Sequence, residues 1–481
     1  MTNKKIVFFF LLPVLISFIL HFRVFSFDVI GYHAWRQSQT QTVIYNFTFS
    51  DTNILHPQKF DLSTGSSDLL YEFPLYQWCI AQVNNVLGYS VMHTRVITFI
   101  IFIFLLLGFY RLLIKFVSIE VALVSNALLC FSPLLYYYCV NPLPDILALT
   151  CAVWALNFFM AFVSSAKSFH FLLFGLFLMA SALVKLPFII FGSPFLLYIY
   201  RAYKDGYIQK VFSKTLLLLF LMVPVALWYT MAIPTWRDKG VVVGLSHNNK
   251  TLLHLLDCFQ FNLISSVPEL LTNYASCIFL VVGMVLFFKN KQLKKKHGYF
   301  VVLFIAASAY FLFELNMIEK AHDYYLMPFI PLIFLVVALG VKHLYTSGKY
   351  RRLVFFVACV VPLTAWLRID QRWNPDSPGF VTDYLTEQSA LQSLIPRDEK
   401  CIIDADDSHF IALYYLKRQG YSLFDKEINP LVLKDRYSKG ARFLVTENLS
   451  LNLNDYPEFD FETLYSKKLK IYKLSLKNLA F

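Results

Sequence analysis

The sequence predicts a polytopic α-helical membrane protein, about eleven transmembrane helices followed by a small C-terminal extracytoplasmic α/β domain. Three observations predict it. The 481 residues are 57% hydrophobic and only 15% charged, against ~25% charged in soluble domains. Mean hydropathy is +0.55, and apolar runs of bilayer-spanning length recur between residues 6 and 367. Beyond residue 367 the chain turns polar and alternates with the period of strands.

The expected spans cover approximately 6–22, 94–114, 118–138, 144–163, 168–184, 186–200, 214–233, 272–288, 298–316, 324–341 and 352–367. The first, within MTNKKIVFFFLLPVLISFIL, looks like a signal peptide but lacks a small-x-small cleavage site, so it reads as a retained helix. Lys and Arg set the orientation. One alternate set of loops carries eighteen of them, and the short loops between hold five: Lys185, Arg237, Lys239, Lys250 and Lys320. The positive-inside rule then makes the N-terminus cytoplasmic and puts 23–93, 139–144, 234–271, 317–323 and everything after 367 outside. The same distribution accounts for the net charge of +12, so nucleic acid is excluded as a partner.

Two outside segments are too long for connectors. Residues 23–93 mix polar helix-like stretches with aromatics and prolines, as in a loop of interfacial helices. Residues 368–481 form a soluble domain, set against a membrane domain of residues 1–367. In it CIIDAD reads as a strand, HFIALYYLKRQG as a helix ending at Gly420, and ARFLVTE and KLKIYKLS as later strands. Asp404, Asp406 and Asp407 follow a strand and precede a helix, where acids serve turns and caps, so no metal site is read there. The eight cysteines are scattered, without metal-ligand spacing, and read as small apolar residues. Asn46, Asn249 and Asn448 open N-x-S/T triplets that carry no weight.

The residues able to do chemistry gather at one face. The first outer loop holds Asp28 and the run Tyr32-His33-Ala34-Trp35-Arg36-Gln37. On a helix His33, Arg36, Gln37 and Thr40 share one side, a cation, imidazole and amide set suited to phosphate or sugar; an interfacial helix with a snorkelling arginine is the alternative. Glu72 lies in Tyr71-Glu72-Phe73-Pro74 and Asp145 ends Asn141-Pro142-Leu143-Pro144-Asp145; each suits a helix N-terminus as a cap and is equally available as a general base. Lys185 stands between two spans, as a snorkelling side chain or a phosphate ligand. His322, Tyr324 and Tyr325 crowd a later outer loop; His322 and Lys185 suit stabilisation of a phosphate leaving group, and the tyrosines suit an aromatic belt as well.

In chain order these motifs are HxWRQ, E-F-P-L-Y-Q, L-P-D, V-K-L-P and H-x-Y-Y-x-x-P-x-x-P. Their order, topology and shared face resemble the bacterial branch of the protein-O-mannosyltransferase and aminoarabinose-transferase superfamily, membrane glycosyltransferases of the GT-C fold. The segment Ala412 to Gly420 resembles that family's periplasmic domain, and the likeness spans nearly the whole chain. It implies a GT-C-like catalytic domain that moves a monosaccharide, with inversion, from a polyprenyl-phosphate donor to an acceptor at the periplasmic face of a bacterial inner membrane. The acceptor would be lipid A, an envelope glycan or a protein. Asp28, Glu72 and Asp145 would be the catalytic carboxylates, with Asp28 as base. Arg36, Lys185 and His322 would hold the donor phosphate, and His33, Trp35, Gln37, Tyr324 and Tyr325 the substrates. Polyprenyl phosphate is already a good leaving group, so no cofactor is required; a divalent metal is optional and not indicated. Many relatives carry an adjacent Asp-Glu pair in the first outer loop; here Arg36 and Gln37 stand at its place, which leaves the base open among the three acids.

A flippase or transporter of lipid-linked saccharide would place ionisable groups near the midplane and show repeated halves. Here the span interiors are almost free of charge and no repeat is present. A polymerase usually has its largest outer loop in the second half, whereas the motif-rich loop here follows span one.

Overall fold

The computed structural model describes residues 2–236, 244, 250–405, 408–423 and 428–477. Arg237, Lys239, Asn249, Asp406 and Asp407 lie outside the described residues. Chain contacts divide into two compact units: Met1–Phe25, Leu70–Phe73 and Arg95–Ile369 form one, and Ser26–Leu69, Pro74–Thr94 and Asp370–Phe481 the other. The second therefore draws most of the first long loop together with the C-terminal segment.

The first unit is helical. Among the described residues seven helices are long and apolar enough to cross a membrane: Asn3–His21, Val91–Leu113, Asp145–Ser165, Leu186–Lys204, Val211–Thr235, Asp323–Thr346 and Arg351–Trp373. A bent pair, Leu252–Leu271 and Tyr274–Lys289, adds an eighth if it is one span, and Ile119–Cys130, Ser168–Val184 and Gly298–Phe313 are shorter apolar helices. Every expected span meets one of these, and the chain is a multi-pass membrane protein.

Pro13, Pro224 and Pro362 lie inside continuous helices, but two other prolines mark departures from the expected runs. The expected span 118–138 ends at Cys130 and restarts at Pro133, whose ring nitrogen cannot continue the ladder. Residues 252–271, which the sequence gives as connector, are helical. Thr251 starts them by accepting a hydrogen bond from the His254 amide. From Asn262 to Leu271 the winding is π-helical around Pro268, and the next helix departs at 94°; a π segment is a recurrent way to accommodate such a break. Two glycines bring Cys277–Lys289 against Ile330–Thr346. A Cβ on Gly283 would lie 2.0 Å from the Val336 carbonyl oxygen, and one on Gly340 2.0 Å from that of Phe279, the small-residue contact that lets membrane helices approach. An apolar cavity of about 650 Å³ opens in this unit, lined by Phe116, Phe259, Phe288, Phe304, Phe311 and Phe329 among others.

The second unit is built on a five-stranded mixed sheet. Strands β1 (Lys400–Asp404), β2 (Gly420–Ser422), β3 (Ala441–Thr446), β4 (Phe459–Ser466) and β5 (Lys470–Leu476) lie in the order β2-β1-β3-β5-β4. β1 pairs in parallel with β2 and β3, and β5 antiparallel with β3 and β4. The period of two sorts the side chains. Cys401, Ile403, Phe443, Val445 and Ile471 enter one core with Val29, Ala34 and Phe60, while Ile402, Leu444, Tyr472 and Leu474 enter the other.

One expected boundary is corrected. The helix ends at Leu416, not Gly420: Lys417 takes the left-handed position at φ 53°, and Gly420 opens β2 against Cys401, whose carbonyl oxygen would lie 2.4 Å from an added Cβ. Glycine here serves a close strand approach rather than a helix stop. All eight cysteines are free.

Candidate functional site

In the membrane unit the sequence candidates converge on Lys185. The helix Ser168–Val184 stops at Lys185, whose backbone is extended at φ −155°, and Pro187 follows in the next turn. Instead of snorkelling, the ammonium is nearly enclosed and lies 3.3 Å from Asp145 Oδ1, with side-chain exposures of 13% and 2%. Asp145 opens the helix Asp145–Ser165, where a carboxylate meets the positive end of the helix dipole. Its Oδ2 has no hydrogen-bond partner among the described residues. Breaking such a buried pair from one side leaves a desolvated charge, at about 3–5 kcal/mol.

Two rings close the other side of the ammonium. Lys185 Nζ stands 5.2 Å from the Tyr324 ring centroid and 5.3 Å from that of Tyr325, within cation–π range. The rings stack on each other at 4.7 Å. His322 meets both edge-on at 5.9 and 6.2 Å. Its Nδ1 lies 2.8 Å from the Met317 carbonyl oxygen, a contact that requires the hydrogen on Nδ1. Glu72 is brought to the same neighbourhood by its backbone. The Phe73 amide donates to the Leu183 carbonyl at 3.0 Å, two residues before Lys185. Indole N–H groups of Trp228 and Trp236 bind the Tyr71 and Leu70 carbonyls at 3.1 and 2.7 Å. The segment 70–73 is thus fastened to the helices of this unit.

Three residues of this cluster escaped the sequence reading. Asp323 is buried and accepts the Tyr138 hydroxyl at 2.5 Å, anchoring the turn that carries the two tyrosines. Glu314 is buried, its Oε2 unpartnered among the described residues, and it interacts with the charge of Lys185. Arg95 is fully buried and donates to the Val140 carbonyl and Asn141 Oδ1 at 3.1 and 2.8 Å, bracing the short loop that ends in Asp145. For Glu314 and Arg95 the available signal is a charged residue inside an expected span, since such residues stay only with partners.

The second unit holds the remaining candidates. Asp28 Oδ1 accepts the Val29 amide at 2.7 Å and the Tyr414 hydroxyl at 2.7 Å. His33 caps the helix Ala34–Phe49 from a left-handed conformation at φ 59°, its ring 6.4 Å from that of Trp35. It stands one residue before the helix that carries Arg36 and Gln37. Arg36 is buried and donates to Gln39 Oε1. Gln37 Nε2 donates to the Ile30 and Tyr32 carbonyls at 3.2 and 3.0 Å, which ties down the loop leading from Asp28. Asp404 accepts the Thr446 hydroxyl at 2.7 Å, a strand-end role like the one its sequence position suggests. Among the described residues no three His, Cys, Asp or Glu side chains are grouped to hold a metal ion.

No protein-family model and no curated protein matches the chain. Solved structures do. ArnT from Cupriavidus metallidurans bound to undecaprenyl phosphate superposes with a TM-score of 0.72 at 9% identity, covering 100% of both chains. Its apo form gives 0.69 at 10% identity and 98% coverage of each. The apo oligosaccharyltransferase from Archaeoglobus fulgidus gives 0.61 at 13% identity, covering 100% of this chain and 75% of its own. The chain thus has the GT-C-like fold of these structures.

Proposed function

We propose that the protein is a glycosyltransferase that moves a monosaccharide from a polyprenyl-phosphate donor to an acceptor at the extracytoplasmic face of a bacterial inner membrane, with the N-terminus cytoplasmic. The observation that carries this reading is the enclosed Lys185 ammonium, flanked by Asp145, Tyr324 and Tyr325, in a membrane unit that also holds a large apolar cavity. A lipid phosphate needs both: a cation for its head and apolar space for its chain. The related fold of ArnT, solved with undecaprenyl phosphate, supports the same choice.

In this reading Lys185 and His322 hold the donor phosphate, with Arg36 as a further cation, and Tyr324 and Tyr325 line the sugar. Asp145 orients Lys185, and Glu72 shapes the site. Asp28 is the base, and His33, Trp35 and Gln37 serve the substrates. The acceptor hydroxyl attacks the anomeric carbon as its proton passes to Asp28. The bond from that carbon to the phosphate oxygen breaks, and polyprenyl phosphate leaves with the electron pair, so the configuration inverts. Lipid A, another envelope glycan and a protein are the acceptor classes that fit.

Deleting the gene and measuring envelope glycans and polyprenyl lipids by mass spectrometry tests the reading. Loss of one sugar mass from a glycan or protein, with build-up of the matching polyprenyl-phosphate monosaccharide, is the expected result. Accumulated lipid-linked oligosaccharide with altered glycan length would overturn it in favour of a flippase or polymerase.

A further inference from the structure

Lys417 is placed against local preference. It ends the helix Ile411–Leu416 in the left-handed conformation, φ 53°, a position that glycine or asparagine normally fills and that strains a lysine by about 1–2 kcal/mol. Its ammonium sits over the Tyr414 ring, 3.5 Å from the centroid, with the Tyr45 and Tyr89 centroids at 5.0 and 5.2 Å. Tyr45 and Tyr89 meet edge to face at 5.2 Å. The ammonium makes no hydrogen bond among the described residues, so the three rings are its solvation.

The cage leads to the candidate base. Tyr414 donates to Asp28 Oδ1 at 2.7 Å, and Gln388 Nε2 reaches Oδ2 at 3.5 Å. Cation, ring, phenol and carboxylate therefore follow one another in sequence. Burial and the charge on Asp28 push the phenols of Tyr414 and Tyr89 upward, so both stay protonated near neutrality. Burial pushes Lys417 down to about 7, and the charge of Asp28 works against that fall. The titratable groups facing Lys417 are Tyr45 from the helix Ala34–Phe49, Tyr89, Tyr414 and Asp28. Adjacent Arg418 turns away to the Gln392 and Ile395 carbonyls.

We infer that Tyr414 and Lys417 are positioning residues for Asp28: the caged ammonium fixes the Tyr414 ring, and the Tyr414 hydroxyl holds the carboxylate in one orientation. A cation over the ring withdraws electron density and strengthens the phenol as a donor. Loss of the Lys417 proton weakens that hold, which links the positioning of Asp28 to pH. The inference rests on Asp28 being the base.

The test is complementation of the deletion strain with the full-length chain. Transfer is read by mass spectrometry of the restored sugar mass, with cells held at pH 6 and at pH 8, and membrane levels are checked by immunoblot. Tyr414→Phe is expected to lower transfer about 10-fold at equal protein level, the loss of one hydrogen bond to a charged group. Wild type should show a pH ratio that Lys417→Met and Lys417→Arg both flatten, since neither side chain changes charge in that range. If Lys417→Met is lost from the membrane, Lys417→Arg decides the pH arm. An unchanged pH ratio in the variants, or no pH step in wild type, overturns the inference. Asp28→Asn separates the two levels. If it stays active, the base assignment fails; if it is inactive while Tyr414→Phe and the lysine variants behave as wild type, only the positioning claim fails.

Discussion

Asp145 and Asp28 are both carboxylates, yet they are held in different ways. Asp145 is buried in the membrane unit against a lysine ammonium. Asp28 is held in the second unit by a backbone amide and a phenol. An ion pair in an apolar surround makes either partner hard to remove. Donated hydrogen bonds fix the orientation of a carboxylate. The first arrangement suits holding a cation in place, and the second suits moving a proton.

The sharpest way to break this contrast is Lys185→Met. It should abolish transfer and destabilise the protein by about 3–5 kcal/mol, because Asp145 remains buried without its partner. Adding Asp145→Leu should restore most of the melting temperature measured in detergent and none of the transfer. If the double variant melts as low as the single, the pair is not the source of the loss. Asp28→Asn should do the reverse, lowering transfer by about 10²–10⁴-fold while the melting temperature moves far less than with Lys185→Met. A large stability loss with modest loss of transfer would make Asp28 structural.

Smaller effects sharpen the picture. Tyr324→Leu removes one ring from Lys185 and should lower stability by about 0.5–2 kcal/mol, visible as a modest shift in melting temperature. Lys417 gives a pH signature. Its folded value of about 7 lies below the ordinary 10.5, so between those values the unfolded chain binds a proton that the folded chain does not. Stability therefore rises as pH climbs from about 7 to about 10.5, and the penalty is fully present below 7. Melting of Lys417→Met should exceed wild type at pH 6, with the gap closing by pH 10. A gap independent of pH would show that packing, not charge, separates them.

The helices were legible because hydropathy is a local property: each expected span meets an apolar helix of the structure. The break before Pro133 and the π segment around Pro268 were signalled by the prolines, but apolar runs on both sides hid them. In the second unit β1, β3 and β5 were readable from alternation. β2, only Gly420–Ser422, and β4, whose burial does not alternate cleanly, were not. Among the chemical residues, Asp145, Lys185, Tyr324 and Tyr325 were named from type and position, while their meeting depends on contacts about 40 and 140 residues apart that no local pattern encodes. His33 stands in a left-handed backbone one residue before the helix begins, a detail that residue spacing does not reveal. Tyr414 and Lys417 were seen only as part of a helix, since nothing local ties them to Asp28.

The interleaving of the second unit has a consequence for biogenesis. Val29, Ala34 and Phe60 share a core with residues of β1, β3 and β5, so early and late parts of the chain complete one another. About 340 residues are synthesised between Phe60 and β1, roughly 17–68 s at ordinary elongation rates. During that interval the early segment has no sheet to pack on, and its apolar side chains must be sheltered by a chaperone or by the membrane surface. A ribosome stalled before β1 should therefore leave residues 26–69 open to protease, and completion of β5 should close them.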